Sequence, residues 1–315
     1  MIRKRNMYRF VGLLIVIIGM FSFTGYGRSG NAKLKVITYN TWNGFHQMSR
    51  YGNNDTLRKQ KFIEWIRRQE ADVVALQELV GFSTDKLHEL GNQVGLPNTV
   101  LLKSSGYAVG LASKHPIELI ERKIKGMHQG FLHCQVQDIH FFVVHFSPSS
   151  YKMRRKEADT ILHRINRDVP SDGEILVLGD FNAVSPYDSS YLNRHPAVRN
   201  RYLRGDRNKM PEEGNLANRA FDFQVLNKFL KKGFKDLVYQ HDSRNYHRIS
   251  FPTPALAPGA EWKERGHRID YILAMPDLGK LCKKALIPHT ELTRQISDHF
   301  PVVAEFERNA KSMKE

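Results

Sequence analysis

The sequence predicts a single mixed α/β domain, and three observations carry that expectation. Short runs rich in β-branched and aromatic residues recur from residue 34 to residue 306. Longer segments between them repeat apolar residues at helical spacing instead. No Gly/Ser- or Pro-rich linker divides the 315-residue chain, and 41% hydrophobic content suffices for one large core. Strand and helix signals mixed along one uninterrupted chain indicate sheets covered by helices.

Residues 34–39 are the first expected strand, closing on the turn signal Asn40-Thr41-Trp42-Asn43-Gly44. Residues 56–70 follow as a helix, with Phe62, Trp65, Ile66 and Gln69 at helical spacing and Asp55-Thr56 able to cap the start. Residues 71–76 are a buried strand running into Gln77-Glu78. Further strands are expected at 107–113, 131–136 and 140–144, the last arriving at His145-Phe146-Ser147-Pro148-Ser149. Residues 153–167 repeat the helix pattern through Met153, Glu157/Ala158, Ile161, Leu162 and Ile165. The apolar run 174–178 then ends on Gly179-Asp180-Phe181-Asn182. From 187 to 264 the periodicity weakens, and the expectation is loops with one helix at 221–231. Strands return at 268–273 and 299–306, and no internal repeat is evident.

The formal net charge is +16. The first 27 residues supply Arg3, Lys4, Arg5 and Arg9 and no acid, so with those four set aside the body still carries +12. Such a field draws nucleic acid, anionic lipid or other polyanions without choosing among them. The basic opening and the unbroken apolar run 10–23 read as an export signal, the run being shorter than the ~18–20 residues of a spanning helix. No Ala-x-Ala-like cleavage site is obvious, so an uncleaved anchor associating with a membrane is the alternative. The expected organisation is a signal or anchor at 1–27, one domain at 31–309 and a basic tail at 310–315, in an exported, monomeric protein that is periplasmic, secreted or anchored outside. Cys134 and Cys282 alone cannot form a dense disulfide framework and lack metal-site spacing. They could pair, or stand as two buried thiols.

Chemistry-bearing residues gather where apolar strands give way to loops: Asn40, Gln77-Glu78, His145, Asp180-x-Asn182 and Asp298-His299. Each alone is an ordinary strand end or turn residue. Asp270, inside an apolar run, needs a partner because an unpaired buried carboxylate is costly, and His299 is the candidate.

As an ordered set the motifs are specific. Thr38-Tyr39-Asn40-Thr41-Trp42-Asn43-Gly44, Leu76-Gln77-Glu78, His145-Phe146-Ser147-Pro148-Ser149, Gly179-Asp180-Phe181-Asn182-Ala183, Arg268-Ile269-Asp270-Tyr271-Ile272 and Ser297-Asp298-His299-Phe300-Pro301-Val302 together resemble the endonuclease/exonuclease/phosphatase superfamily from residue 33 to residue 306. The resemblance implies an α+β fold, a four-layer α/β/β/α sandwich of two mixed sheets flanked by helices, with the site at one end. It implies metal-dependent phosphoester hydrolysis by in-line attack of water. Glu78 resembles the principal metal ligand, with Asn40 and Asp298 nearby, and this oxygen-only set suits Mg²⁺ or Mn²⁺. Asp180 is similar to the acid that aligns or deprotonates the water. Asn182 and His145 resemble donors to the phosphoryl oxygens, and His299 oriented by Asp270 resembles the group that stabilises the developing charge. Some relatives carry an acid where this chain has Trp42, which argues against a second metal pocket built on that acid.

The resemblance leaves the substrate open. Between 187 and 207, aromatic and cationic residues interleave, and Arg194, Arg201, Tyr202 and Arg204 are candidate substrate contacts, guanidinium groups for phosphate and rings for bases. The same segment could be a solvated basic loop. Lys152, Arg154 and Arg155 could widen that basic rim or form a helix's exposed face. An exported nuclease cleaving phosphodiesters is the leading reading. A phosphatase or phosphodiesterase for lipid head groups or small phosphorylated metabolites is the alternative. An inactive polyanion-binding protein is disfavoured, because binding alone has no need of Glu78, Asp180 and His299 together.

Overall fold

Two β–α–β crossovers, one in each half of the chain, generate the architecture. The computed structural model describes residues 31–46, 55–210, 213–242, 244 and 248–309, so the expected leader and basic tail lie outside the described residues. In the first half, β1 (Asn31–Asn40) crosses through α1 (Asp55–Gln69) to the parallel strand β2 (Val73–Gln77). Helix α2 (Thr84–Gln93), β3 (Asn98–Leu101), β4 (Gly110–Ser113), β5 (Ile117–Lys123) and β6 (Phe131–Val136) follow. In the second half, β7 (Ile139–His145) crosses through α3 (Tyr151–Asp168) to the parallel strand β8 (Glu174–Asp180). The chain then runs through α4 (Ser189–Arg194), α5 (Pro196–Gly205), α6 (Gln224–Lys231), β9 (Lys235–Asp236), α7 (Leu237–His241) and α8 (Glu261–Glu264). It ends with β10 (Asp270–Ala274), α9 (Pro276–Leu281), β11 (Cys282–Leu286), α10 (Thr293–Ile296) and β12 (Val302–Asn309).

The strands form two six-stranded sheets, ordered β11-β12-β1-β2-β4-β3 and β5-β6-β7-β8-β10-β9. Each is mixed, with one parallel pair at its centre. Both faces of the central strands are buried, which is why they read as continuous apolar runs. Period-two alternation sorts the side chains: Val36, Val73, Ala75, Leu176 and Leu178 enter the core between the sheets. Ile37, Tyr39, Val74 and Leu76 turn outward onto Phe62, Trp65 and Ile66 of α1. Ile175 and Val177 meet Ala158, Ile161 and Ile165 of α3 and Phe229 of α6. Each such fully buried large side chain contributes roughly 1.5–3 kcal/mol. The result is the α/β/β/α sandwich. Among the described residues no helix is long and apolar enough to cross a membrane.

The segment 187–264 corrects the expectation of loops with one helix, for it holds α4 through α8, and the expected helix begins at Gln224. Of these, α4, α7 and α8 run only six, five and four residues, too short to repeat an amphipathic pattern; burial of anchors such as Tyr191, Val198 and Trp262 holds the unexpected helices. Strands β3, β5, β9 and β11 also went unexpected. Glu118 and Arg122 in β5, and Lys283 and Lys284 in β11, suit sheet edges, where charge discourages further pairing. Cys134 and Cys282 are separate buried thiols, which burial pushes up to about 12 and about 11.

Candidate active site

Strand register brings three ionisable residues into one row. Asp180, the last residue of β8, pairs with His145 across β7 and with Asp270 across β10. On the facing sheet Asn40 ends β1 beside Gln77, and Glu78 follows. The two parallel pairs therefore deliver their carboxyl ends to the same edge of the sandwich, where open α/β sheets form binding crevices. The rows join through Asn40, whose Nδ2 donates to Glu78 Oε1 at 3.2 Å and to Asp180 Oδ2 at 3.1 Å.

The backbone there is unusual, and local bonds hold it. Gly179 has φ +138°, and a Cβ on it would lie 2.0 Å from Val144 O, so only glycine lets β8 lie against β7 at this point. Trp42, Asn43, Glu78 and Asn182 are left-handed at φ 53°, 57°, 58° and 47°. Such positions cost of order 1–3 kcal/mol each and persist where neighbours over-determine them. Asn43 N donates to Glu78 Oε2 at 2.7 Å, Trp42 N to Asn40 Oδ1 at 2.9 Å and Asn182 N to Asp180 Oδ1 at 2.8 Å. The buried Arg58 donates to the carbonyls of Thr41 and Trp42 and lies over the Trp42 indole, which is core.

Asp180 Oδ2 is the focus of the site. Besides Asn40, it has His145 Nε2 at 3.6 Å and His299 Nε2 at 3.8 Å. His299 Nδ1 meets Asp270 Oδ2 at 2.8 Å, so Asp270 does find its expected partner. Asp298 Oδ1 lies 4.0 Å from His299 Nε2. All of these side chains are buried, whereas Glu78 and Asn182 are half-buried and form the mouth. Burial and the neighbouring Asp270 push the Asp180 carboxyl well above its usual range. Burial, aided by Glu78 and opposed by His299, pushes Asp298 up to about 7. Burial drives His145 down to about 4, so its ring is neutral. Burial opposes the charge on His299 too, but Asp270 and Asp298 together outweigh it and hold the imidazolium.

Asn40 presents its amide nitrogen to both carboxylates, and its Oδ1 accepts from Trp42 N. Asn182 spends one Nδ2 hydrogen on Phe146 O at 3.0 Å and keeps the other. The candidate substrate contacts disperse. Arg194 is exposed on α4 and donates to Ser190. Tyr202 meets Phe221 and His267 edge-on and shares a 2.7 Å hydrogen bond with His267, so its ring is no platform for a base. Arg201 lies over the Phe251 ring, which also contacts His299. Arg204 is exposed on α5. Arg154 is buried against Ser147 O and Asn215, and Arg155 forks onto Asp222, so neither widens a rim.

Several residues take supporting roles that the sequence reading did not assign. Ser297 Oγ donates to Asn40 O at 2.7 Å and accepts from His299 N, tying the last motif to the first. Ser250 Oγ accepts from Ile269 N and Asp270 N, and Thr253 N donates to Asp298 O. Loop serines and threonines carry no signal for this. Glu157 of α3, fully buried, accepts from Ser147 N at 2.8 Å and His128 N at 2.7 Å and fixes the loop after His145. Its signal was available: an acid four residues from both Met153 and Ile161, on the apolar face.

Glu78, Asp180, Asp270 and Asp298 crowd four carboxyls around two imidazoles. Among the described residues, Asp180, Asp270 and His299 form a group that could hold a metal, with ligand atoms within 4.8 Å, but the His299–Asp270 hydrogen bond already occupies two of its members. Glu78 and Asp298 are the acids nearer the mouth; Asp298 is raised by burial first and by Glu78 second, and a hard cation on oxygen ligands would offset both. The donor set fits a divalent cation.

This fold and acid–histidine cluster define a hydrolase of phosphoesters. The chain belongs to the Endonuclease/Exonuclease/phosphatase family, which matches residues 37–299. Among solved structures it is similar to an AP endonuclease from Archaeoglobus fulgidus (TM-score 0.62, 20% identity, covering 87% of this chain and 99% of that one). It is also similar to the 3′ phosphatase NExo from Neisseria bound to product DNA hairpin (0.61, 18%, 87% and 99%). A third is a family member from Bacteroides vulgatus (0.58, 18%, 88% and 100%). No curated protein matches the chain.

Proposed function

We propose that this chain is an exported nuclease, a divalent-metal-dependent phosphodiesterase cleaving nucleic acid by in-line attack of water. The observation that carries the chemistry is the convergence of Asn40, His145 and His299 on Asp180 Oδ2. Asp180 aligns the attacking water and takes its proton, and its raised affinity for a proton makes it a stronger base than an ordinary carboxylate. Asn40 steadies the Oδ2 atom that does so. His299, kept protonated through its bond to Asp270, donates from Nε2 to a phosphoryl oxygen. Neutral His145 and the remaining Asn182 hydrogen donate to the others. Glu78 and Asp298 would hold Mg²⁺ or Mn²⁺, which when bound supplies charge neutralisation at the phosphoryl and leaving oxygens.

Nucleic acid is favoured by the likeness to an AP endonuclease and to a 3′ phosphatase bound to product DNA hairpin, a choice the +16 net charge suits without making it, and export by the basic–apolar opening at residues 3–23. Residues 31–309 act as one domain in this reading. The test is an assay of plasmid DNA, RNA, a phospholipid and a phosphomonoester, each with Mg²⁺ and with chelator. Metal-dependent cleavage of DNA or RNA is expected. Intact nucleic acid beside a cleaved lipid or monoester would reject the nuclease and leave the phosphoesterase.

A further inference from the structure

A cavity of about 790 Å³ opens against the second half of α5, and none of the clustered carboxyls lines it. Its lining includes Arg204, Arg207, Lys209 and Arg219 against one acid, Asp206. That acid is committed, since Asp206 Oδ2 accepts from Asn215 N at 2.6 Å and Leu216 N at 3.1 Å, and Oδ1 lies 3.3 Å from Lys209 Nζ. Glu213 is exposed and does not line the cavity. Arg204, Arg207 and Arg219 are exposed, and none forms an ion pair among the described residues. Three uncompensated guanidinium groups on one concave surface are suited to an anion with several oxygens.

The cavity wall is bonded to the loop that follows His145. Gly214 O accepts from Tyr151 N at 2.9 Å, and Lys209 Nζ donates to Ser149 O at 3.3 Å. Arg154 donates to both Asn215 Oδ1 and Ser147 O. Leu216 lines this cavity and also the small hollow that Asn182 enters. The cavity wall and the loop after His145 are thus one bonded unit, which sets the cavity on the side of the site where Asn182 stands. No aromatic ring lines it, so it offers nothing for a base to stack on. We propose that this cleft holds a backbone phosphate of a nucleic-acid strand flanking the scissile phosphodiester, gripping the strand without reading its bases. The proposal rests on the nuclease reading above and adds that the substrate must extend beyond the ester that is cut.

The test measures binding of a fluorescein-labelled 20-nucleotide DNA strand by anisotropy in chelator, where no cleavage is expected. The variant R204Q/R207Q/R219Q is compared with K231Q/K232Q/K280Q, which removes the same charge at the ends of α6 and α9, where Met275 meets Ile175 at the start of β8. The arginine variant is expected to raise Kd on the order of 10-fold and to flatten the salt dependence of log K by ~0.7, the value of one phosphate contact on a single strand. The lysine variant should shift Kd by less than about twofold, as loss of distant screened charge does. Equal losses in both, or no loss in the arginine variant while wild type binds and cuts DNA, would overturn the cleft and leave the nuclease standing. Wild-type protein that cleaves a monoester or phospholipid but neither binds nor cuts the strand would overturn both.

Discussion

Asp180 shows how little a residue's type says until its neighbours are placed. A carboxylate at a strand end is ordinarily solvated and acidic; here it is buried, beside Asp270 and two imidazoles, and holds its proton far more tightly. The two histidines diverge for the same reason. His145 has no second hydrogen-bond partner at Nδ1 among the described residues and is neutral, whereas His299 has Asp270 and is charged. Oppositely perturbed groups in one cleft suit general acid–base work. Replacing Asp180→Asn or His299→Ala is expected to lower kcat on the order of 10²-fold or more, with the circular dichroism spectrum unchanged. Near-normal turnover by either purified variant on a substrate the wild type cleaves would refute these roles.

Helix α3 does more than cover its sheet. Its Ser150 cap accepts from Met153 N, its apolar face packs on β7 and β8, and Glu157 reaches over to hold Ser147 and His128 by their amides. Burial pushes the Glu157 carboxyl up to about 7, against the pull of those two amides. A carboxyl raised in the folded state binds its proton more tightly folded than unfolded. Its contribution is full below the ordinary value near 4.5 and is lost as pH rises through about 7. Urea unfolding at pH 5 and pH 8 should therefore show the wild type losing roughly 3 kcal/mol more than Glu157→Gln between the two pH values, each tenfold gain in proton affinity on folding being worth ~1.4 kcal/mol. Parallel losses in the two proteins would contradict this account.

Across the whole molecule the two sheets are pinned at both ends. At the site end, Asn40 of one sheet bonds Asp180 of the other. At the far end, Arg308 on β12 is fully buried and bonds Asp138 and Glu174, which flank β7 and β8. Those two acids keep some solvent contact, so the clamp is worth less than the ~3–5 kcal/mol of breaking a fully buried pair. Arg308→Met is expected to cost about 2 kcal/mol and lower Tm by roughly 4–8 °C, with kcat within about twofold because the substitution is remote from the cluster. A fall in kcat as large as that of the Asp180 variant would show the far clamp to govern the site.

The residues that gather at the sandwich edge were legible in the chain because their signals are local. A strand is an apolar run of period two, its end is where polarity returns, and Asn40, Glu78, His145, Asp180 and His299 all stand at such ends. The layers followed from the same runs, since strands buried on both faces need helices outside them. What the chain alone withheld is everything set by contacts distant in sequence. Asn40 and Asp180 are separated by 140 positions, and Ser297 and Asn40 by 257. Only register and sheet packing decide that Asn40 offers its nitrogen to the acids, that Glu157 pins a loop and that Tyr202 turns inward. The short helices after β8 were hidden likewise, because a turn or two of helix is stable only against the surface it packs on. Residue chemistry marked the class of reaction, phosphoester hydrolysis; tertiary packing decided which groups meet at Asp180, because those contacts join strands far apart in the chain.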